Sequence, residues 1–198
     1  MTMPNDAVVT LSHALDQAGD VLASVRHDQL GQPTPCADWD VGQLVAHLVA
    51  GPRRFAETMR GGEADWSAPA PPVEQEWASE FRSAADDLIH LWHQEGDRAQ
   101  ARIVDWQTTE FAVHTWDLAR AVGYRWRLDD RVAETALAFM RAGMTADNRG
   151  TAFAPEVAVD DHATAYERLA AFAGRSPELA PEITSDVMRS ELGAAPTA

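Results

Sequence analysis

Trp106, Glu110, His114, Asp117 and Ala121 fall within roughly 80° of one another on a helical wheel at about 100° per residue. Residues 106–122 otherwise have the marks of a buried helix. A stripe mixing a large aromatic with two carboxylates and an imidazole is costly to bury unless its polar groups are paired or ligated. Glu110 and His114 stand four apart, so their side chains can converge on one point. A Glu-x-x-x-His pair taken alone is commonly a solvated ion pair, and the face it shares here argues against that. His47 lies in a second helical segment, on the side of Leu44 and Leu48. By itself it reads as a satisfied core histidine. Together, two inward imidazoles and one inward carboxylate give the ligand number of a catalytic zinc-type site, three protein donors with a position left for water or substrate.

The rest of the chain reads as helices separated by breakers. The apolar spacing predicts a first helix over about 6–25, with Val9, Leu11, Leu15, Ala18, Val21 and Leu22 facing inward. After a breaker-rich loop over 31–39, Asp40 reads as an N-cap, with Gln43 completing a capping box. That second helix carries Leu44, His47, Leu48, Phe55 and Met59 on one side and ends at Gly61-Gly62. Residues 63–72, with three prolines, form a stiff connection. Further helices are expected over about 73–94, 106–122, 130–142 and 161–173, with an irregular stretch over 147–160. The expected architecture is all-α, a four-helix bundle with additional C-terminal helices. Metal sites in such bundles sit between facing helices. Residues 1–180 make one domain, and 181–198 a loosely held tail.

With 16 basic and 31 acidic residues the net charge is -15, a field that repels phosphate backbones and anionic lipid surfaces. No nucleic-acid or membrane partner is expected. The first residues are polar and no apolar run approaches about 20 residues, so neither a signal peptide nor a membrane span is expected. Cys36 is the only cysteine, which fits a reducing cytoplasm. The absence of lysine and the wealth of Ala, Arg, Asp and Trp hint at a GC-rich bacterial genome. A monomer or weak dimer is expected, because no sustained heptad or second wholly apolar helix face is seen.

Three segments resemble one family in the right order. Thr34-Pro35-Cys36-Ala37-Asp38-Trp39-Asp40-Val41, followed by Leu44-Val45-Ala46-His47-Leu48, looks like the N-terminal motif of the DinB-like, mycothiol-dependent maleylpyruvate isomerase family. The stretch from Glu110 through His114 and Asp117 to Ala121 resembles its second metal motif. Tyr166 to Pro177 is similar to the close of its short actinobacterial members, which lack the isomerase's C-terminal domain. The resemblance implies a bundle metal site with His47, Glu110 and His114 as ligands, zinc being the usual metal and nickel the second choice. It also implies mycothiol, a low-molecular-weight thiol, as co-substrate. The resulting expectation is a thiol-dependent transferase or isomerase acting on a small electrophile. A non-catalytic metal-binding module (sensor, carrier or interaction protein) is the alternative, and metal-dependent hydrolysis ranks last because a ligating Glu110 is not free to act as base.

Other residues carry weaker signals. Cys36 precedes a helix N-terminus, where a thiolate is stabilised, but its place in the loop motif favours a structural role. Asp117 can orient a ligand imidazole from behind or pair with an arginine. His90 and His93 form an alternative metal pair, although Leu91 and Trp92 take the core side. Trp39, Trp92 and Trp116 read as core. Trp106, one turn before Glu110, is expected to line a pocket.

Overall fold

The computed structural model describes residues 4–36, 39–66, 68–71, 76–149 and 153–176. Six α-helices account for most of them: α1 (Pro4–Ser24), α2 (Val41–Met59), α3 (Trp77–Glu95), α4 (Ala101–Val122), α5 (Asp130–Gly143) and α6 (Ala165–Phe172). Among the described residues there is no strand, only an antiparallel bridge between Pro33 and Asp40 that closes the loop before α2. None of the described helices is long and apolar enough to cross a membrane.

The first four helices form a ring. α1 packs on α3 and α4, α2 packs on the same two, and α5 then lies on α4 with α6 on α5. Burial follows the apolar period: Leu11, Leu15, Ala18 and Leu22 of α1, Leu44 and Leu48 of α2, and Phe81 and Leu88 of α3 are at most 3 % exposed. Val9 is a correction, being 40 % exposed. It sits two residues before Leu11, which places it on the opposite side of the helix.

Helix ends explain the remaining differences. Asp40 caps α2 as expected, its carboxylate accepting from the Gln43 N–H while Gln43 returns a bond to the Asp40 N–H. α3 starts at Trp77, after Glu76 in the left-handed region at φ 59°; the expected start near residue 73 lies outside the described residues. α4 starts five residues earlier than the apolar stripe suggests, without a side-chain cap. α6 is shorter than expected because Thr164 and Glu167 form a reciprocal capping box that sets its start. The expected tail over 181–198 lies outside the described residues.

One close approach sets how near α2 comes to α4. A Cβ on Gly51 would stand 3.1 Å from the Phe111 ring. Gly51 is one turn beyond His47 on the same face of α2, and Phe111 adjoins Glu110 on α4. The missing side chain lets the two helices come close where their polar groups face each other.

Candidate metal centre

α2 and α4 bring His47 and Glu110 together across the bundle, Nε2 to Oε1 at 2.7 Å. His114 Nε2 lies 3.4 Å from the same carboxylate oxygen. One ligand atom from each of the three residues falls within 4.8 Å of the others. Donors held about 2.1 Å from a tetrahedral ion are about 3.4 Å apart, so small shifts would fit this set around one cation. Two imidazole nitrogens and a carboxylate oxygen also suit a borderline metal such as zinc.

The charges are already arranged. Burial is the largest influence on Glu110 and pushes its pKa up, but His114 and His47 outweigh it and hold the carboxyl at about 2. Burial pushes His114 down, yet the Glu110 and Asp117 carboxylates win and raise it above its ordinary 6.5. Ligation requires a neutral imidazole, so metal affinity should fall with acidification starting above pH 6.5, earlier than for a free histidine. Stability without metal has one contribution of each sign. The His114 contribution is present below its ordinary value and lost as pH rises through the raised one; the Glu110 contribution holds above 4.5 and is lost as pH falls toward 2. Chelator competition between about pH 5.5 and about pH 8.5 measures the first effect. A flat affinity across that range contradicts it.

Behind His114 the structure adds a second carboxylate and a guanidinium. His114 Nδ1 faces Asp117 Oδ2 at 3.4 Å, an ion-pair distance without hydrogen-bond alignment. Asp117 is fully buried and receives a two-pronged pairing from Arg175, Nη2 to Oδ2 at 3.1 Å and Nε to Oδ1 at 3.3 Å. Asp117 thus pairs with an arginine and faces the His114 imidazole. Arg175 is a residue that sequence reasoning misses.

Trp39, expected in the core, is a correction: half-buried, it covers both imidazoles, its ring 4.4 Å from that of His47 and 5.3 Å from that of His114. The loop motif explains its placement. The Thr34 hydroxyl donates to the Trp39 carbonyl at 2.8 Å and accepts from the Cys36 N–H at 3.1 Å, tying Trp39 and Cys36 to Thr34. Cys36 comes with it, and its Sγ joins His114 and Asp117 in a second group of potential ligands within 4.8 Å. His90 and His93 are exposed on α3, and neither joins these groups. Trp92 and Trp116 are core residues.

A cleft of about 290 Å³ opens beside Glu110 between α4, α5 and the segment after α5. Trp106, Val113, Phe139, Met140 and Phe153 supply apolar walls, with Arg102 and Asn148 adding polar groups. Trp106 is 43 % exposed, as a wall residue would be.

The model of the mycothiol maleylpyruvate isomerase N-terminal domain matches residues 11–119, which include His47, Glu110 and His114. The chain belongs to this DinB-like family. Among its relatives are uncharacterized proteins from two strains of Mycobacterium tuberculosis. Each is 29 % identical over 187 residues, covering 86 % of this chain and 98 % of the relative. No solved structure gives a significant match. The family carries metal-binding and mycothiol-related chemistry as its general character, and the three-residue donor group fits the first of these.

Proposed function

We propose that the protein binds one divalent metal, zinc before nickel, through His47, Glu110 and His114, and uses it in thiol-dependent transfer to, or isomerisation of, a small electrophile. The supporting observation is the convergence of the three donors beside a cleft. Bound there, the metal would supply a means of holding a thiol as thiolate or polarising a carbonyl. In this reading the chain's own groups do the rest. His47 and His114 present ring nitrogens, and Glu110 a carboxylate oxygen, to one point. Trp39 shields the imidazoles, while Trp106, Phe139 and Phe153 take the apolar part of a substrate and exclude water. Mycothiol is the co-substrate that family membership favours. A cytoplasmic setting suits a protein whose one thiol, Cys36, lies beside the site.

The rival reading, a metal-binding module without catalysis, would be favoured by a fourth protein donor closing the shell. Asp117 is engaged by Arg175 behind His114, and His90 and His93 are exposed on α3, so none of the donors considered for that role favours closure.

The assay is thiol consumption against a panel of electrophiles, with mycothiol or another low-molecular-weight thiol, in metal-loaded and chelator-stripped protein. A rate that requires both thiol and metal is expected. No metal-dependent rate above background with any thiol would contradict the catalytic part of the proposal.

A further inference from the structure

We propose that Arg175 is a positioning residue for the metal centre, holding His114 in its ligating orientation through Asp117. This rests on the metal reading above and adds a residue from beyond the family-matched span of 11–119.

The end of α6 is built to deliver this guanidinium. Gly174 takes φ +79°, a left-handed conformation. The Gly174 N–H donates to the Ala171 carbonyl at 3.0 Å and the Arg175 N–H to that of Ala170 at 2.9 Å, the two bonds of a Schellman closure. The chain turns back there and sends Arg175, 5 % exposed, into the bundle. Only glycine fits the turn, since a Cβ would stand 2.4 Å from the Ala154 carbonyl oxygen. Inside, the guanidinium donates to the Ala173 carbonyl at 2.9 Å and spans both Asp117 oxygens. It also lies over the Phe153 ring at 5.2 Å, and Phe153 is a wall of the cleft. One side chain therefore connects the rear of a candidate ligand with the wall of the cleft beside it.

A purely structural role accounts poorly for the arrangement. A buried ion pair loses so much hydration that an apolar pair of similar volume commonly serves stability as well or better. Orientation is a task an apolar pair cannot perform. His114 Nδ1 is buried, and the oxygen it faces belongs to Asp117. With Nδ1 turned to Asp117, Nε2 is turned to Glu110. A carboxylate gripped at both oxygens keeps that orientation, and partners of this kind behind a ligand typically change metal affinity by about 10- to 100-fold when removed.

The test is metal affinity by chelator competition, with folding followed separately by metal-free thermal melts. Four proteins are compared with the parent: Arg175→Met, Arg175→Lys, Asp117→Leu and the double variant Asp117→Leu with Arg175→Met. Arg175→Met should bind zinc about 10- to 100-fold more weakly while folded, and Arg175→Lys should recover part of the loss. The double variant should bind no more weakly than Asp117→Leu, because Arg175 acts through Asp117. If Arg175→Met does not fold, Arg175→Lys and the double variant carry the same comparison. Folded Arg175→Met within twofold of the parent overturns the proposal, as do losses in the double variant that simply multiply. A parent that binds no metal at all overturns instead the reading on which it rests.

Discussion

Asp117→Ala should cost about 3–5 kcal/mol of folding stability, because it strands the Arg175 guanidinium in the bundle without its carboxylate. The two side chains are 0 % and 4 % exposed, so water cannot take over. Against a total of about 5–15 kcal/mol for a domain, such a loss brings the protein close to unfolding at growth temperature. The same protein holds an internal control. Arg26 and Asp28 pair at 3.1 Å with both side chains more than 60 % exposed, and removing that pair should cost about 1 kcal/mol or less. Replacing Asp117 and Arg175 together by leucine and methionine should recover most of the loss, since no unpaired charge remains. Urea unfolding of the three proteins measures this. A cost for Asp117→Ala no larger than for the surface pair would mean that the buried pairing is not maintained in solution.

The fold and the centre are legible in the sequence wherever one helix carries the information. Glu110, His114 and Asp117 share a face of α4, and the wheel finds them because their spacing is local. Asp40 and Gln43 announce the start of α2 in the same way. Thr164 and Glu167 carry an identical signal for α6, and the acidic residues just before them compete with it as a helix start, which makes the expected helix too long. Other features have no local sign. Arg175 meets Asp117 across 58 residues, through a turn whose geometry depends on Gly174 approaching Ala154, and no periodicity reports such an encounter. Trp39 is, by sequence, one more core aromatic. Its place over the two imidazoles comes from how the Thr34 hydroxyl holds its carbonyl, a contact that depends on the fold rather than on the order of residues. The early start of α4 is hidden because its first turn carries no cap.

On the proposed reading, loss of His47 or His114 should have the largest effect on metal affinity. His47 and His114 enter from different helices, and their Nε2 atoms stand 2.7 Å and 3.4 Å from Glu110 Oε1. Removing either leaves two donors, too few to hold a zinc-type ion against water, so the loss should exceed the about 100-fold ceiling typical of partners behind a ligand. Metal content in protein purified without a polyhistidine tag is the most direct test, read by elemental mass spectrometry on the parent, His47→Ala and His114→Ala after brief dialysis. The account predicts close to one zinc or nickel ion per parent chain and almost none in either variant, with all three folded by circular dichroism. Parent protein that takes up no metal, or variants that retain as much as the parent, would contradict it.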